Sequence, residues 1–180
     1  MPLPHDYSGQ SCSLARALEI VGERWTLLIV RDAFYGVRRF DDFAAHLGIP
    51  RAVLSERLKS LTTAGVLVRV GTDGARHEYE LTPKGVALWP ALRALTDWGD
   101  DHYAPTGPRR ILLHAEDGAP LERDGRCSGC GARVEPADVV IAPGPGLVPT
   151  SGSPDRVTAA LAIPHRALEP ISPRDPGTPA

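Results

Sequence analysis

The sequence is poor in cysteine, in aromatic residues and in long hydrophobic runs. It contains 3 cysteines among 180 residues, an odd number that argues against a structural disulfide framework. No apolar run approaches the roughly 18 residues that a membrane-spanning helix requires, so a membrane protein is not expected. The first residues, MPLPHDYSGQSC, lack the basic start and apolar stretch of an export signal, and we therefore expect a cytoplasmic protein.

The chain also lacks an overall positive charge. Its formal net charge is -2, so the molecule as a whole gives no sign of a nucleic-acid partner. The charge is unevenly distributed, however, because residues 37–77 contain seven lysines and arginines against four acidic residues. This local excess is compatible with a nucleic-acid-binding segment. The content of 42% hydrophobic and 23% charged residues is typical of a globular protein with one main domain.

Apolar residues recur at helical spacing in the first part of the chain. Residues 14–21 predict a short helix that a serine caps and Gly22 ends. Residues 24–34 are apolar on most sides, as expected for a central buried helix. Residues 40–47 repeat the i, i+3, i+4, i+7 pattern, and Gly48 suits the left-handed residue at which a helix stops.

The stretch from Pro50 to Gly65 predicts a further helix with two different faces. Pro50 suits the first turn, where its missing amide hydrogen costs nothing, and Gly65 suits the end. Leu54, Leu58 and Leu61 share one face, which predicts a stripe directed at the core. The residues that this geometry places on the opposite side or at the N-terminal tip are Arg51, Ala52, Ser55, Glu56, Lys59 and Thr63.

Two alternating segments follow this helix. Residues 66–70 and 77–82 predict a two-stranded hairpin whose glycine-rich connection is GTDGA. Thr82 and Pro83 then predict the cap and first turn of another helix, which Pro90 bends. The apolar edge of that helix consists of Leu88, Leu92, Leu95 and Trp98.

The composition changes after Tyr103. Residues 111–114 and 137–142 predict short strands on either side of the CSGCG turn. Nine of the 18 prolines fall from residue 143 onward, which predicts disorder, and RVTAALAI within that stretch predicts only a marginal helix. The predicted segments are an N-terminal piece at 1–11, a main domain at 12–103, a β-rich extension at 104–142 and a disordered tail at 143–180.

Helices followed by a hairpin give the element order of a winged helix-turn-helix. We therefore predict a mainly α fold with a small β hairpin, of the α+β class, plus the cysteine-containing extension. A helix on a leucine-anchored base fits the major groove of DNA, where base edges are distinguishable. Taken singly, Arg51, Lys59 and Arg76 are each better explained as solvated surface charges, whereas their combination on this element order favours contact with DNA. The predicted DNA-binding residues are Arg51, Ala52, Ser55, Glu56, Lys59, Arg76 and His77.

Several spaced motifs together resemble a known family. They are the leading Cys12, WTLLI, LSERL, the AGV turn and YELTPKG, all in one order between Cys12 and Gly99. Over this range the sequence is similar to the HxlR-type bacterial transcriptional regulators, which are winged helix-turn-helix proteins. Such a combination is far more specific than a lone helix-turn-helix pattern.

The resemblance implies a homodimer that binds a pseudo-palindromic operator and represses or activates transcription. In some members of that family a cysteine at this position senses oxidants or electrophiles, which implies that Cys12 is a candidate thiol sensor. Arg16, one turn later, would favour the Cys12 thiolate. An inert apolar cysteine at the dimer interface is the alternative. The residues expected at that interface are Leu14, Leu18, Leu88, Leu92, Leu95 and Trp98.

Cys127 and Cys130 have the spacing of a zinc knuckle. Because the chain has no second cysteine pair, a zinc site would recruit His114, Glu116 or Asp117, or a second chain. A ribbon that has lost its metal is the alternative. A thiol oxidoreductase is a weaker one, because its C-x-x-C motif should open a helix inside a βαβ unit.

The functional prediction is a DNA-binding regulator that a small-molecule effector or thiol modification modulates. Its expected partners are double-stranded DNA and a second copy of the chain, and no cofactor is expected except zinc. The sequence shows no cluster of nucleophile, base and orienting group and no phosphate loop, so we do not expect an enzyme. A winged-helix module that docks a protein partner is the main alternative.

Overall fold

The computed structural model describes residues 7, 9–71, 77–148 and 152–171. The N-terminal part is helical, and its elements match the predicted apolar segments. Cys12, not a serine, precedes the first helix, and its side chain makes no capping hydrogen bond. The first helices are α1 (Ser13–Val21), α2 (Thr26–Phe34), α3 (Phe40–Leu47) and α4 (Arg51–Thr63).

A two-stranded antiparallel hairpin follows α4. Its strands are β1 (Leu67–Val70) and β2 (Glu78–Leu81), with Leu67 opposite Leu81 and Val70 opposite Glu78. Only Leu67 of β1 is buried, so β1 is the outer strand of this wing, while the Tyr79 amide of β2 donates to the Arg38 carbonyl at 2.8 Å and joins the wing to the body. The described part of the chain is therefore a winged helix-turn-helix, as predicted.

The chain then forms two helices where one bent helix was predicted. Thr82 caps α5 (Pro83–Val86) by accepting a hydrogen bond from the amide of Gly85. The helix α6 (Trp89–Tyr103) begins afresh after Leu88, and Pro90 lies in its first turn. Because a proline there needs no amide partner, it starts α6 and does not kink a continuous helix.

The C-terminal extension is a small antiparallel sheet. Its strands are β3 (Arg110–His114), β4 (Val139–Pro143) and β5 (His165–Arg166), in the order β3-β4-β5. A 3₁₀ turn at Pro136–Asp138 leads into β4. The loop between β3 and β4 contains the cysteine pair.

The prediction that residues from 143 onward are disordered is wrong for the described residues 152–171. They include the short helix α7 (Arg156–Ala160), which packs on α3, and the strand β5. Val157 and Leu161 are fully buried in the same core as the winged-helix leucines. The proline content misled the prediction because these few apolar residues bury enough surface to fix the segment.

The main core lies between α2, α3, α4 and the base of the wing. Its largest fully buried side chains include Phe34, Phe43 and the three leucines of α4. Asp32 is also fully buried there, and it accepts hydrogen bonds from Arg31 and lies 2.7 Å from Nδ1 of His46. Among the described residues, no helix is long and apolar enough to cross a membrane.

Candidate functional site

The helix-turn-helix is formed by α3, a three-residue turn and α4. Gly48 ends α3 with φ of 60°, a left-handed conformation that glycine adopts without strain. Ile49 is buried in the main core, and Pro50 directly precedes α4. The turn is therefore anchored by an apolar side chain, and this anchor fixes where α4 starts.

The two predicted faces of α4 are confirmed by burial. Leu54, Leu58 and Leu61 are fully buried. The residues predicted on the other side are all exposed, and they include Ala52, Ser55, Glu56 and Lys59. The core thus holds α4 so that a polar stripe faces away from the protein.

Arg51 is exposed at the N-terminal tip of α4, but it is already engaged. Its Nη1 donates to Asp41 Oδ1 at 2.8 Å, and its guanidinium lies 4.7 Å from the centre of the Phe40 ring. Both charged partners are mostly solvent-exposed, so the pair contributes little stability and can exchange for a phosphate. The structure therefore links the α4 tip to the start of α3.

The wing presents a different set of groups. Arg76 lies outside the described residues, whereas His77 is half-buried directly before β2. Arg69 on β1 is exposed, and sequence reasoning missed it as a binding candidate. It lines a cleft of about 300 Å³ together with Arg39 and His77. Its exposure follows from its place on β1, where every residue after Leu67 is exposed, and the alternating pattern alone did not reveal this.

The residues predicted at a dimer interface fall into two groups. Leu95 and Trp98 on α6 have exposed fractions of 52% and 54%, and Leu14 and Leu18 on α1 are exposed as well. Leu88 is half-buried, and Leu92 is only 8% exposed and belongs to the core of its own chain. The prediction for Leu92 is therefore wrong, because α6 turns that side chain inward.

Cys12 is exposed directly before α1. Arg16 was expected to act on this thiol, but its guanidinium pairs with Glu19 at 2.9 Å and donates to the Tyr7 carbonyl. The Arg16 guanidinium is therefore already paired with an acidic side chain. The structure gives no support to the argument that Arg16 stabilises a Cys12 thiolate.

The three residues predicted as metal ligands lie together. One nitrogen, oxygen or sulfur atom from each of His114, Asp117, Cys127 and Cys130 lies within 4.8 Å of every other. Cys127 Sγ lies 3.1 Å from an oxygen of Asp117, and Cys130 Sγ lies 3.6 Å from His114 Nδ1. Asp117 was only one of the two acidic alternatives in the sequence, because spacing could not show which would reach the cysteines.

The surroundings of this cluster shift two of its groups in opposite directions. Burial raises the pKa of the Cys127 thiol. The pKa of Asp117 is lowered, first by the hydrogen bond from the Ala119 amide and then by the one from Cys127. Cys127 and Cys130 lie in a turn and do not open a helix, so the context required for a thiol oxidoreductase is missing from these described residues.

The comparisons with known proteins agree with this architecture. The family model for the HxlR-like helix-turn-helix matches residues 20–106. The HTH-type transcriptional regulator Rv3095 of Mycobacterium tuberculosis, itself uncharacterized, is 46% identical over 148 residues, which is 81% of this chain and 92% of Rv3095. The chain belongs to the HxlR family. It is an HTH-type transcriptional regulator of that family, whose members generally are not enzymes.

Two further relatives show how far the likeness extends. The solved structure of PA1607, described as a candidate transcription factor, has a TM-score of 0.61 at 39% identity and covers 71% of this chain and 92% of PA1607. YvaP of Bacillus subtilis, an uncharacterized HTH-type transcriptional regulator, is 38% identical over 94 residues, 51% of this chain and 87% of YvaP. The alignment with Rv3095 is longer than the segment 20–106 and therefore includes residues outside it.

Proposed function

We propose that the protein binds a pseudo-palindromic DNA operator as a homodimer, with α4 in the major groove. The observation that carries this proposal is the orientation of α4. Its leucines are fully buried while Ser55 and Lys59 are exposed on a helix that follows a short turn. That is how a helix-turn-helix presents its second helix to base edges.

The charges around α4 support contact with the phosphate backbone. Arg51 at the tip, Lys59 further along and Arg69 on the wing are exposed, and the surrounding segment has a net positive charge although the chain does not. Phosphate contacts position a protein on the duplex, and polar side chains then read base edges. In this proposal Arg51 and Lys59 position α4, Ser55 and Glu56 face the bases, and Arg69, Arg76 and His77 serve the wing.

A binding titration tests this assignment. The probe is a labelled duplex taken from the DNA upstream of the protein's own gene, measured by fluorescence anisotropy over a range of salt concentrations. We expect Lys59→Ala to weaken binding and to lower the salt slope by about one per bound chain, because one phosphate contact is lost. Arg109→Ala is the matched control, since this exposed arginine follows α6 and is not on α4 or the wing.

Two outcomes would contradict the DNA assignment. The first is an equal effect of Lys59→Ala and Arg109→Ala on affinity. The second is binding whose affinity neither depends on salt nor exceeds the affinity for random duplex, because a specific DNA-binding protein shows both properties. Either result would favour the alternative, a winged-helix module that docks a protein partner.

The dimer in this proposal uses α1 and α6. Only Ala15 of α1 is buried, and a nine-residue helix is too short to be stable without packing. Leu14 and Leu18 on α1 and Leu95 and Trp98 on α6 are large exposed apolar side chains. Pairing with a second copy would bury them and would set the spacing of two α4 helices to match two half-sites.

The cavity beside α6 suits a small anionic effector that would regulate the protein. A cavity of about 350 Å³ lies between α5, α6 and the loop of the extension, with Trp89 and Arg93 in its lining. Arg93 is almost fully buried, and its Nε and Nη1 have no hydrogen-bond partner among the described residues. The third nitrogen, Nη2, donates to the Glu122 carbonyl and lies 3.8 Å from Asp97 Oδ2. A buried guanidinium favours an anionic partner, and a ligand carboxylate can accept one of the two unmade hydrogen bonds. A ligand there would contact the helix that forms the dimer face.

Thermal unfolding with benzoate tests this proposal for the effector. Benzoate combines a carboxylate for Arg93 with an apolar ring for the Trp89 wall. We expect it to raise the Tm of the wild type and not that of Arg93→Met, which keeps an apolar stem. Equal shifts in both proteins would place the ligand elsewhere. A DNA response that requires Cys12 and ignores benzoate would instead support thiol modification.

A further inference from the structure

The loop between β3 and β4 contains two turns with the same construction. The first is His114-Ala115-Glu116-Asp117-Gly118, and the second is Cys127-Ser128-Gly129-Cys130-Gly131. In each turn two candidate ligands are separated by two residues, and a glycine follows the second ligand. Such a ligand-x-x-ligand pair is the unit from which zinc ribbons are built.

The backbone of the two turns is also equivalent. The amide of Gly118 donates to the His114 carbonyl at 2.8 Å, and the amide of Gly131 donates to the Cys127 carbonyl at 2.9 Å. Both glycines have left-handed φ, 70° and 73°. A backbone amide also donates to one ligand of each pair, but at different positions. Ala119, just after the first turn, donates to the second ligand Asp117, and Gly129, within the second turn, donates to the first ligand Cys127. The two turns therefore share the glycine that closes each of them, although the ligand types differ.

Three of the six pairs among the candidate ligand residues lie at distances close to those around one small ion, and all four ligand atoms lie within 4.8 Å of one another. In a tetrahedral zinc site, bond lengths near 2.3 Å to sulfur and near 2.0 Å to nitrogen or oxygen place sulfur about 3.5 Å from nitrogen, and nitrogen about 3.3 Å from oxygen. Here Cys130 Sγ lies 3.6 Å from His114 Nδ1, and His114 Nδ1 lies 3.3 Å from Asp117 Oδ1. Cys127 Sγ and the Asp117 oxygens are closer, at 3.1 and 3.3 Å, so this pair would have to separate by a few tenths of an ångström.

We propose that His114, Asp117, Cys127 and Cys130 bind one zinc ion in a closed tetrahedral site. Thiolates and an imidazole bind zinc in preference to calcium or magnesium. Four protein ligands also leave no open coordination position for a reaction. On binding, each thiol exchanges its S–H bond for a bond to the metal and releases its proton to solvent. The site is therefore structural, and it joins the two turns into a ribbon.

The surroundings of the four ligands fit this role. Cys127 and His114 are buried, which shields one side of the ion from water. His114 presents Nδ1 to the cluster, while its Nε2 lies 3.9 Å from Glu116 Oε2, too far for a direct hydrogen bond. Glu116 itself is highly exposed and is not part of the cluster. A substitution of Glu116 can therefore be compared with substitutions of the proposed ligands.

Zinc in this position would also act on α6. The residues between the two turns hold that helix, because Arg93 donates to the Glu122 carbonyl at 2.9 Å and Arg123 pairs with Asp101 at 2.5 and 2.7 Å. Closing the ribbon restricts this segment at both ends. The ion therefore supports the surface from which α6 presents Leu95 and Trp98.

Metal analysis of the purified full chain tests the proposal. We expect one zinc per chain, and replacement by Co²⁺ should give visible tetrahedral ligand-field bands with thiolate charge transfer in the near ultraviolet. Cys130→Ser and Asp117→Asn change exposed or half-exposed groups, so the fold should persist. Each should weaken zinc binding at least about tenfold in a chelator competition, since a direct ligand matters at least as much as an outer partner.

Two control variants make the result specific. Cys12→Ser removes a thiol outside the cluster and should leave stoichiometry and affinity unchanged. Glu116→Gln should weaken affinity less than Asp117→Asn and should leave the cobalt spectrum tetrahedral. Three outcomes would overturn the proposal: no zinc bound after incubation with excess Zn²⁺, unchanged affinity in both Cys130→Ser and Asp117→Asn, or a Cys127–Cys130 disulfide as the stable form of freshly reduced protein in air. None of these outcomes depends on DNA binding.

Discussion

At the scale of single residues, Asp32 is the most consequential polar group in the core. It is fully buried on α2, where Arg31 donates to Oδ1 at 2.7 Å and His46 Nδ1 lies 2.7 Å from Oδ2. This carboxylate therefore joins α2 to α3, which is the helix that positions α4. Buried ion pairs are poor sources of net stability, but removal of one partner leaves the others uncompensated.

We expect Asp32→Ala to lower the free energy of unfolding by about 3 to 5 kcal/mol, because Arg31 and His46 lose a buried partner. Urea denaturation monitored by circular dichroism measures this. Asp41→Ala is the matched control, since Asp41 forms an exposed ion pair with Arg51 and should cost no more than about 1 kcal/mol. Similar losses in the two variants would show that Asp32 is not a structural link.

Asp155 is a second polar residue with a structural role, and its contribution to stability depends on pH. It caps α7 by accepting hydrogen bonds from the amides of Val157 and Thr158 at 2.9 and 3.0 Å. Burial alone would raise the pKa of Asp155, but the hydrogen bonds from the hydroxyl and amide of Thr158, with the nearby His46, outweigh it and lower the pKa. The ionised cap is therefore favoured in the folded state.

A carboxyl whose pKa is lowered on folding stabilises the protein above its unfolded pKa, near 4, and loses that contribution as pH falls through the folded pKa. We expect Asp155→Ala to cost about 1 kcal/mol at neutral pH through loss of the cap. Asp155→Asn keeps the cap hydrogen bonds without the charge, so its loss should be smaller. Unfolding curves from pH 7 to below 4 should converge for wild type and Asp155→Asn, and a constant gap would contradict this explanation.

At the scale of elements, local sequence patterns predicted α1 to α4 and the wing well. Each of these elements has its own spacing of apolar residues and its own terminating glycine, such as Gly48 and Gly65. The direction of the α4 face could be predicted because three leucines fix it. Leu92 could not be assigned, since helical spacing places it on one edge with Leu95 and cannot show where α6 meets the core.

The C-terminal segment could not be predicted for a related reason. Its position depends on backbone contacts with a distant turn, and these leave no periodic pattern. The Leu168 amide donates to the Phe34 carbonyl at 2.8 Å, and the Ile171 amide donates to the Gly36 carbonyl at 3.0 Å. A Cβ at Gly36 would lie 1.7 Å from the Glu169 carbonyl oxygen. The turn after α2 is therefore a docking point for residues 165–171.

We expect Gly36→Ala to displace this segment, because the new methyl group cannot occupy the space of the Glu169 carbonyl. Amide exchange measured by mass spectrometry should become faster across residues 165–171. Gly65→Ala is the matched control, since Gly65 also has positive φ but a Cβ there would meet no atom within 4 Å. Both variants bear backbone strain of roughly 1 kcal/mol. Equal exchange of residues 165–171 in the two proteins would argue against the docking.

At the scale of the whole molecule, the ordered C-terminal segment changes which surface remains for a partner. The main core receives Val157 and Leu161 from α7, and the extension covers one side of α6 through Arg93 and Arg123. The opposite side of α6 and most of α1 stay exposed in the described structure. The described structure thus leaves apolar side chains exposed on α1 and α6 and a polar face exposed on α4, a combination that suits a dimer with two reading helices.

The last prediction concerns that apolar surface. Trp98 is 54% exposed and lies at a tilted angle to the rings of His102 and Tyr103, with ring centres 5.1 and 5.4 Å away. Aromatic side chains at the centre of an interface commonly contribute 2 kcal/mol or more to association, so we expect Trp98→Ala to weaken dimerisation by about thirtyfold. Sedimentation velocity over a concentration series measures this. Operator affinity should fall in parallel, because a monomer engages one half-site.

Ile163→Ala is the control for Trp98→Ala, since Ile163 is also a large exposed apolar residue but lies outside α1 and α6. It should leave both dimerisation and operator binding unchanged. Leu92→Ala separates the interface from the core on the same helix, because loss of this buried side chain should lower the free energy of unfolding by about 2 to 5 kcal/mol. If Trp98→Ala destabilises the monomer as much as Leu92→Ala and leaves the dimer intact, then the exposed side of α6 is not the dimer interface and the two α4 helices must be spaced by another contact.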